Sequence, residues 1–306
     1  MEVAGPDVVP GELAARLLAP LADWLGDWSA LLHGALLPVG CALVAVAVCT
    51  SIELLVPAER GQGLAGRIRN LAHLVVFQFA GLAGLALWLR LGPALGRHAH
   101  APGPVESIVL VAVNLFTIDF VYYWYHRAQH RFPSLWAIHE LHHADTELNA
   151  TSSFRTFWLE LPLQSIVVMS PSLVLFGDQG AGHAFGMLIG SYAFLIFSHC
   201  NFRLSLGPLS GLVCGPQVHR IHHSRLPQHR DRNFAQYFPF LDRLFGTWYA
   251  PAPGEFPPTG ADALASDASL ATVFVRPFRI WLSGAGAVAP PARSSGAARR
   301  RPSRRS

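Results

Sequence analysis

The chain has no lysine: among its 306 residues every basic side chain other than histidine is arginine, a bias that reflects genomic base composition and points to no function. Charge of either sign is scarce, 14% of residues, and the net charge of +4 rests largely on Arg299, Arg300, Arg301, Arg304 and Arg305. That is a local property of a tail, and nothing in it calls for a nucleic-acid partner. The four cysteines, Cys41, Cys49, Cys200 and Cys214, sit among apolar neighbours with no Cys-x-x-Cys and no pairing pattern. They read as small buried residues and exclude a disulfide framework. There is no cysteine-rich iron-sulfur pattern and no haem-binding His-Pro-Gly-Gly segment, so no redox group of either kind is built in. Gly61, Gly63 and Gly66 lack the preceding strand and the Lys-Ser or Lys-Thr of a phosphate loop. No short hydrophobic leader precedes a small-residue cleavage site, so no cleaved signal is expected and the chain inserts through its own helices.

Hydrophobicity is abundant by contrast. Half the residues are apolar and they come in long runs, which places the chain among membrane proteins. A short amphipathic stretch, Leu13 to Leu25, precedes a first span near Leu36 to Val56, long enough for a bilayer core of about 30 Å. A second span is expected from Leu71 to Leu91 and a third from Ile108 to Tyr125, closing on the aromatic run Tyr122-Tyr123-Trp124-Tyr125 that suits a membrane interface. Apolar segments from Trp158 to Phe176 and from Phe185 to Phe197, with a turn at Gly177 to Gly182, form either two further spans or a deep hairpin. The expected fold is all-α: an integral membrane bundle of about four transmembrane helices, or three plus a hairpin, with a cytoplasmic helical cap. The expected units are residues 1–104 with the first two spans, a catalytic unit over 105–250, a C-terminal segment over 251–283, and a disordered arginine-rich tail over 284–306.

Three histidine clusters stand out: His126-Arg-Ala-Gln-His130, His139-Glu-Leu-His142-His143 and His219-Arg-Ile-His222-His223. Residues three and four apart share a helix face, so each cluster is expected to aim its imidazoles in one direction. Eight imidazoles are too many for one structural zinc, which takes four ligands, and fit a pair of metal ions better. The third span leads into the first two clusters and the later apolar pair returns the chain before the last one, so all three can meet on one side of the membrane. That side carries Arg60, Arg67, Arg69, Arg127, Arg131, Arg220, Arg225, Arg230 and Arg232, and by the positive-inside rule it is cytoplasmic.

The segment Asp119-Phe-Val-Tyr-Tyr-Trp-Tyr-His-Arg-Ala-Gln-His130, followed by Trp136-Ala-Ile-His-Glu-Leu-His-His143, resembles the sterol desaturase or fatty acid hydroxylase superfamily. So do Pro216-Gln-Val-His-Arg-Ile-His-His-Ser224, Arg232-Asn-Phe234 and Leu241-Asp-Arg-Leu-Phe-Gly-Thr-Trp248, and the resemblance covers roughly residues 105 to 250. It implies a membrane oxidoreductase with two iron ions that takes O2 and external electrons to hydroxylate or desaturate a fatty acyl, sterol or related lipid. His126, His130, His139, His142, His143, His219, His222 and His223 fall on the family's ligand positions, and His199, beside Asn201, matches a further family histidine. The chain departs from the pattern after Arg155, where Phe157 and Trp158 replace a frequent His-Pro pair.

Ligated imidazoles need partners for their second ring nitrogen. Asp119, Glu140, Asp145, Glu147, Asn201 and Asp231 are the candidates, Asp119 foremost because a carboxylate near the end of an apolar span is costly without a partner. His33, His73, His98, His100, His183 and His229 lack helical spacing to the clusters and read as ordinary histidines. Two other functions fit parts of the pattern. His139-Glu140-Leu-His-His143 satisfies the zincin pattern His-Glu-x-x-His of a zinc-dependent membrane hydrolase; a non-catalytic metal-binding or transport protein would place its ligands within the spans and show internal repeats, neither of which is visible. With no internal donor, an external one of cytochrome or ferredoxin type is the expected partner.

Overall fold

The computed structural model describes residues 28–75, 103–176 and 181–283. The amphipathic stretch at 13–25, most of the second span and the tail after 283 lie outside them. Helix α1 (Trp28–Leu55) is almost wholly apolar and ends just before Pro57, whose ring and missing N–H cannot continue a helix. Helix α2 covers 64–75. Helix α3 (Pro104–Arg131) starts with proline at its first turn and with the Glu106 carboxylate accepting from the Gly103 N–H. It stops at the extended Phe132, and Pro133 opens α4 (Pro133–His143). Two helices thus meet at a sharp bend, which turns the histidines at the end of α3 toward those of α4.

A short 3-10 turn, Ala150–Phe154, capped by the Asn149 side chain on the Thr151 N–H, leads to a broken helix. Its parts are α5 (Glu160–Gln164), a π-turn at Ser165–Met169 and α6 (Ser170–Phe176). Helix α7 (Ala181–His199) packs on α1, with Ala42, Val46, Ile196 and Cys200 in one buried cluster. The short α8 (Pro216–His222), α9 (Phe240–Leu244) and the amphipathic α10 (Leu270–Leu282) complete the fold. Helix α10 covers α4: Val273 joins Ile138, Leu141 and Phe157 in a buried cluster, and Arg276 grips Glu140 at 2.6 and 3.1 Å. Among the described residues there is no sheet, only isolated bridges at Pro57–Phe202 and Ser224–Thr259. The four cysteines are free, and Cys200 and Cys214 are buried.

One described helix, Val105–Arg131, is long and apolar enough to cross a membrane, with mean hydropathy 1.8. It presents Ile108, Val109, Phe116 and Trp124 outward, as α1 presents Val44, Val48 and Leu54. The expected third span is this helix. The segments expected as first and fourth spans coincide with the shorter apolar helices Val39–Leu55 and Glu160–Phe176, which fall short of that length among the described residues.

Buried polar residues lock α1 and α2 onto the histidine-bearing half. Glu53, 1% exposed, accepts from Arg67 Nη1 at 2.6 Å, from the Ala150 N–H at 2.7 Å and from the Asn201 N–H at 2.8 Å. Arg155 is equally buried and donates to the Leu141 and Ser266 carbonyls and to Asn70. Replacing Glu53 by alanine strands the buried Arg67 guanidinium and two amides, a loss of about 3–5 kcal/mol. Asp262→Ala, at the exposed Arg230 pair, should cost no more than about 1 kcal/mol. Thermal unfolding in detergent, followed by helical circular dichroism, should show a large drop for the first variant and almost none for the second.

Candidate metal centre

Nine histidines gather in two groups. His126, His130, His139, His143 and His222 form one, and His142, His199, His219 and His223 form the other, with the candidate ligand atoms of each group within 4.8 Å of one another. All nine are the histidines singled out from the sequence. They divide differently from expectation, because each His-x-x-His-His cluster serves both groups. On a helix, successive residues turn by about 100°, so positions i and i+4 nearly align while i+3 and i+4 diverge. His139 and His143 of α4 therefore face one group and His142 the other; His219 of α8 and His223, which caps it, face the second group and His222 the first. Helix α3 adds the i, i+4 pair His126 and His130, and α7 adds His199 from its last residue. The two groups abut where the rings of His143 and His223 stack, 4.4 Å apart between centroids.

Within each group the Nε2 atoms converge. His126 to His139 is 3.0 Å, and His139 to His143 and His143 to His130 are each 3.1 Å. In the other group His142 to His199 is 3.2 Å, and His199 to His219 and His219 to His223 are each 3.1 Å. The opposite ring nitrogens decide what these contacts are. His126 Nδ1 lies 2.8 Å from the Phe234 carbonyl, which only accepts, and His139 Nδ1 lies 2.6 Å from the Glu160 carboxylate; with that carboxylate ionised, the proton of each neutral ring sits on Nδ1. The two Nε2 lone pairs then face one another with no proton between them. Ligand bonds of about 2.1 Å meeting at right angles put donor nitrogens about 3.0 Å apart, so the spacing fits two ligands of one ion. His222 agrees: its Nδ1 donates to the Arg232 carbonyl at 2.9 Å, and its buried Nε2 has no hydrogen bond among the described residues. His199 Nδ1 donates likewise to the Leu195 carbonyl at 2.7 Å. A cation bound by neutral imidazoles fits both groups.

The backbone that supplies these acceptors is itself held. Asp231 and Asn233 adopt left-handed conformations, φ 56° and 58°, on either side of Arg232. Asn and Asp tolerate that region best, and the turn aims the Arg232 and Phe234 carbonyls at His222 and His126. Asp242 accepts from the Phe234 and Ala235 amides, and Asp119 from those of Gln236, Tyr237 and Phe238.

Among the acids expected to hold imidazoles, only Asp231 approaches one, 3.7 Å from His130 Nδ1. Asp119 holds backbone amides, because three N–H groups of a buried loop offer a carboxylate more than one ring nitrogen would. Glu140 is engaged by Arg276; Asp145 accepts from Asn70 and Ser152; Glu147 accepts from the Gly63 N–H; Asn201 bonds Glu59. Glu160, not foreseen, is the carboxylate that does hold an imidazole. Its signal was the one that marked Asp119: an acid inside an apolar run. His229, expected to be ordinary, bridges Ser224 and Glu255 away from both groups. Phe157, in the departure after Arg155, is buried against α4.

Burial, with the neighbouring imidazoles second, holds His139, His143, His219 and His223 well below the ordinary histidine value, and burial brings His222 to about 4. Their folded values lie under the unfolded value near 6.5, so above that pH the neutral rings cost nothing in protonation. As pH falls from about 6.5 toward 4 the unfolded chain takes up protons that the folded chain refuses, and stability is lost through that window. Metal-free protein should lose thermal stability steeply there, and unfolding midpoints measured across it should fall; midpoints independent of pH would contradict the assignment of neutral rings.

A sequence model described as fatty acid hydroxylase matches residues 111–247, which contain all nine histidines. Alkylglycerol monooxygenase of Xenopus tropicalis is 33% identical over 132 residues, 43% of this chain and 28% of its own length. The Homo sapiens protein of that name is 33% identical over 134 residues, 44% of this chain and 29% of its own. An ornithine lipid hydroxylase of Rhizobium tropici is 28% identical over 222 residues, 68% of this chain and 66% of its own. The chain thus spans under a third of the alkylglycerol monooxygenases it matches. No solved structure matches it.

Proposed function

Because the histidine-bearing region belongs to the sterol desaturase and fatty acid hydroxylase superfamily, we propose that the chain is a membrane-bound di-iron oxidoreductase that uses O2 to hydroxylate a lipid. The observation that carries this is the convergence of nine imidazoles, eight of them buried, in two adjoining groups, with Nε2 atoms 3.0 to 3.2 Å apart. His126, His130, His139, His143 and His222 would hold one iron, and His142, His199, His219 and His223 the other. Bound there, iron supplies the electrons that activate O2 toward an unactivated C–H bond.

The chain's own residues do the rest. The Phe234, Arg232 and Leu195 carbonyls fix the tautomers of His126, His222 and His199, so each keeps its Nε2 lone pair free. The apolar outer faces of α1 and α3 suit lipid, and α3 carries His126 and His130 in its last turns, so the centre lies at the end of a helix that can span the bilayer. A cavity of about 200 Å³ reaches His130, His143 and His222 past Trp136, Arg225 and Asp231. Its small volume suits water and small solutes, since sites for larger ligands occupy about 300–1,000 Å³. The apolar outer faces of α1 and α3 are the side from which a lipid chain would reach the centre. Of the arginines that argue for a cytoplasmic face, Arg67 and Arg220 are consumed in ion pairs with Glu53 and Glu59. The exposed Arg225 and its neighbours supply the surface charge, and with it the docking face for an external electron donor.

Relatives named for monooxygenation and hydroxylation support oxygen insertion over desaturation. The hydrolase alternative needs Glu140 as a base, and that carboxylate is committed to Arg276. Purified in detergent and reconstituted anaerobically with Fe(II), the protein should hold about two iron ions per chain and, with a reductant, transfer one atom from isotopically labelled O2 into a lipid. His142→Ala should lower turnover by more than about 100-fold while the protein stays folded. Retained turnover in that variant, or lipid products lacking two hydrogens and carrying no label, would overturn the reading.

A further inference from the structure

Glu160 is a buried carboxylate with unusually little to balance its charge. Every other deeply buried acid described has a fuller set of partners. Glu53 has Arg67 and two amides; Glu140 has Arg276; Asp119 has three amides; Asp242 has two amides and the Thr247 hydroxyl; Asp145 has Asn70, Ser152 and an amide. Glu160 accepts only at Oε1, from Gln129 Nε2 at 2.8 Å and from His139 Nδ1 at 2.6 Å, and its Oε2 is buried without a hydrogen bond among the described residues. An uncompensated charge in such a place is costly unless a cation lies near. The nearest place for one is the five-histidine group, one imidazole away.

Nothing comparable serves the four-histidine group. His199 donates to a carbonyl, and none of the imidazoles of that group has a carboxylate hydrogen bond among the described residues. The two groups therefore differ in charge as well as in ligand number. Gln129 lies on α3 between His126 and His130, and its amide sets the orientation of the Glu160 carboxylate toward His139.

We propose that Glu160 is a positioning residue that makes the five-histidine group the tighter of two unequal metal sites, by polarising His139 and supplying the negative charge the other group lacks. This rests on reading the two groups as metal sites. A carboxylate on the far nitrogen fixes the ring, raises the basicity of the ligating nitrogen and offsets part of the cation's charge.

The test is a metal titration of the full chain in detergent. Metal-free protein is titrated anaerobically with Fe(II), and separately with Co(II); bound metal is read by equilibrium dialysis with elemental analysis, and the Co(II) spectrum is recorded at one equivalent. Wild type should show two classes of site. Glu160→Gln, which keeps the shape and an acceptor oxygen but removes the charge, should weaken the tighter class by about 10–100-fold, leave the weaker class in place and change the one-equivalent spectrum. His142→Ala should remove the weaker class and spare the tighter. Gln129→Ala, which keeps the charge, should weaken the tighter class less than Glu160→Gln does. The proposal is overturned if Glu160→Gln leaves the tighter class unchanged, if His142→Ala removes that class instead, or if Gln129→Ala is as damaging as Glu160→Gln, the pattern of a merely structural contact. Two equal classes in wild type would sink this proposal alone. No bound metal in wild type would sink the metal reading with it.

Discussion

With Glu160 ionised, two nitrogen lone pairs face one another at 3.0 Å in a buried interior and repel, and no proton lies between His126 and His139 to relieve them. The structure depends on tolerating that contact. Burying one imidazole is inexpensive when its N–H finds an acceptor, because a neutral ring carries only modest polarity. Crowding nine together, with the acceptor sides of His126, His139, His199 and His222 turned inward, is favourable only if something positive lies among them. The surroundings are built accordingly: each partner assigned to an Nδ1 is an acceptor, which keeps the proton away from the converging nitrogens.

The buried acids follow from this constraint. Asp119 and Asp242 leave the imidazoles alone and hold the amides of residues 234–238, so that the carbonyl chemistry of the loop faces inward. A carbonyl is the better partner for most of these rings, since it accepts the Nδ1 proton without adding charge. One carboxylate, Glu160, is the exception, and it stands beside the larger group. The left-handed residues Asp231 and Asn233 belong to the same arrangement, since they shape the loop from which the Arg232 and Phe234 carbonyls meet His222 and His126.

The ligand candidates were legible because histidine in three regularly spaced clusters has few structural uses, and the helical class was legible from the length of the apolar runs. The partition into two groups could have been read as well, since i+3 and i+4 diverge on a helix, but treating each cluster as a unit hid it. The carbonyls of Leu195, Arg232 and Phe234 could not be read, because every residue has one and only the chain's path decides which faces a ring. Asp119 and Glu140 were misassigned for a related reason. Proximity in sequence to a histidine says little about which donor a carboxylate meets once the helices cross, and Arg276, more than a hundred residues from Glu140, claims it. The expected count of membrane crossings outran the described residues, among which one helix meets the requirement of length and hydropathy.

The interleaving of the clusters has a mechanical consequence. Helix α4 gives two imidazoles to the first group and one to the second; α8 with its cap residue His223 gives one to the first and two to the second. A rotation of either helix moves ligands of both groups in the same instant, and a shift that tightened one would loosen the other. The stacked rings of His143 and His223 leave no space for independent adjustment. Independent metal sites would sit on separate elements, where each could relax alone. Sharing helices instead fixes the distance between the two groups as firmly as the geometry within each, which is what the proposed reaction of two ions with one O2 molecule would require.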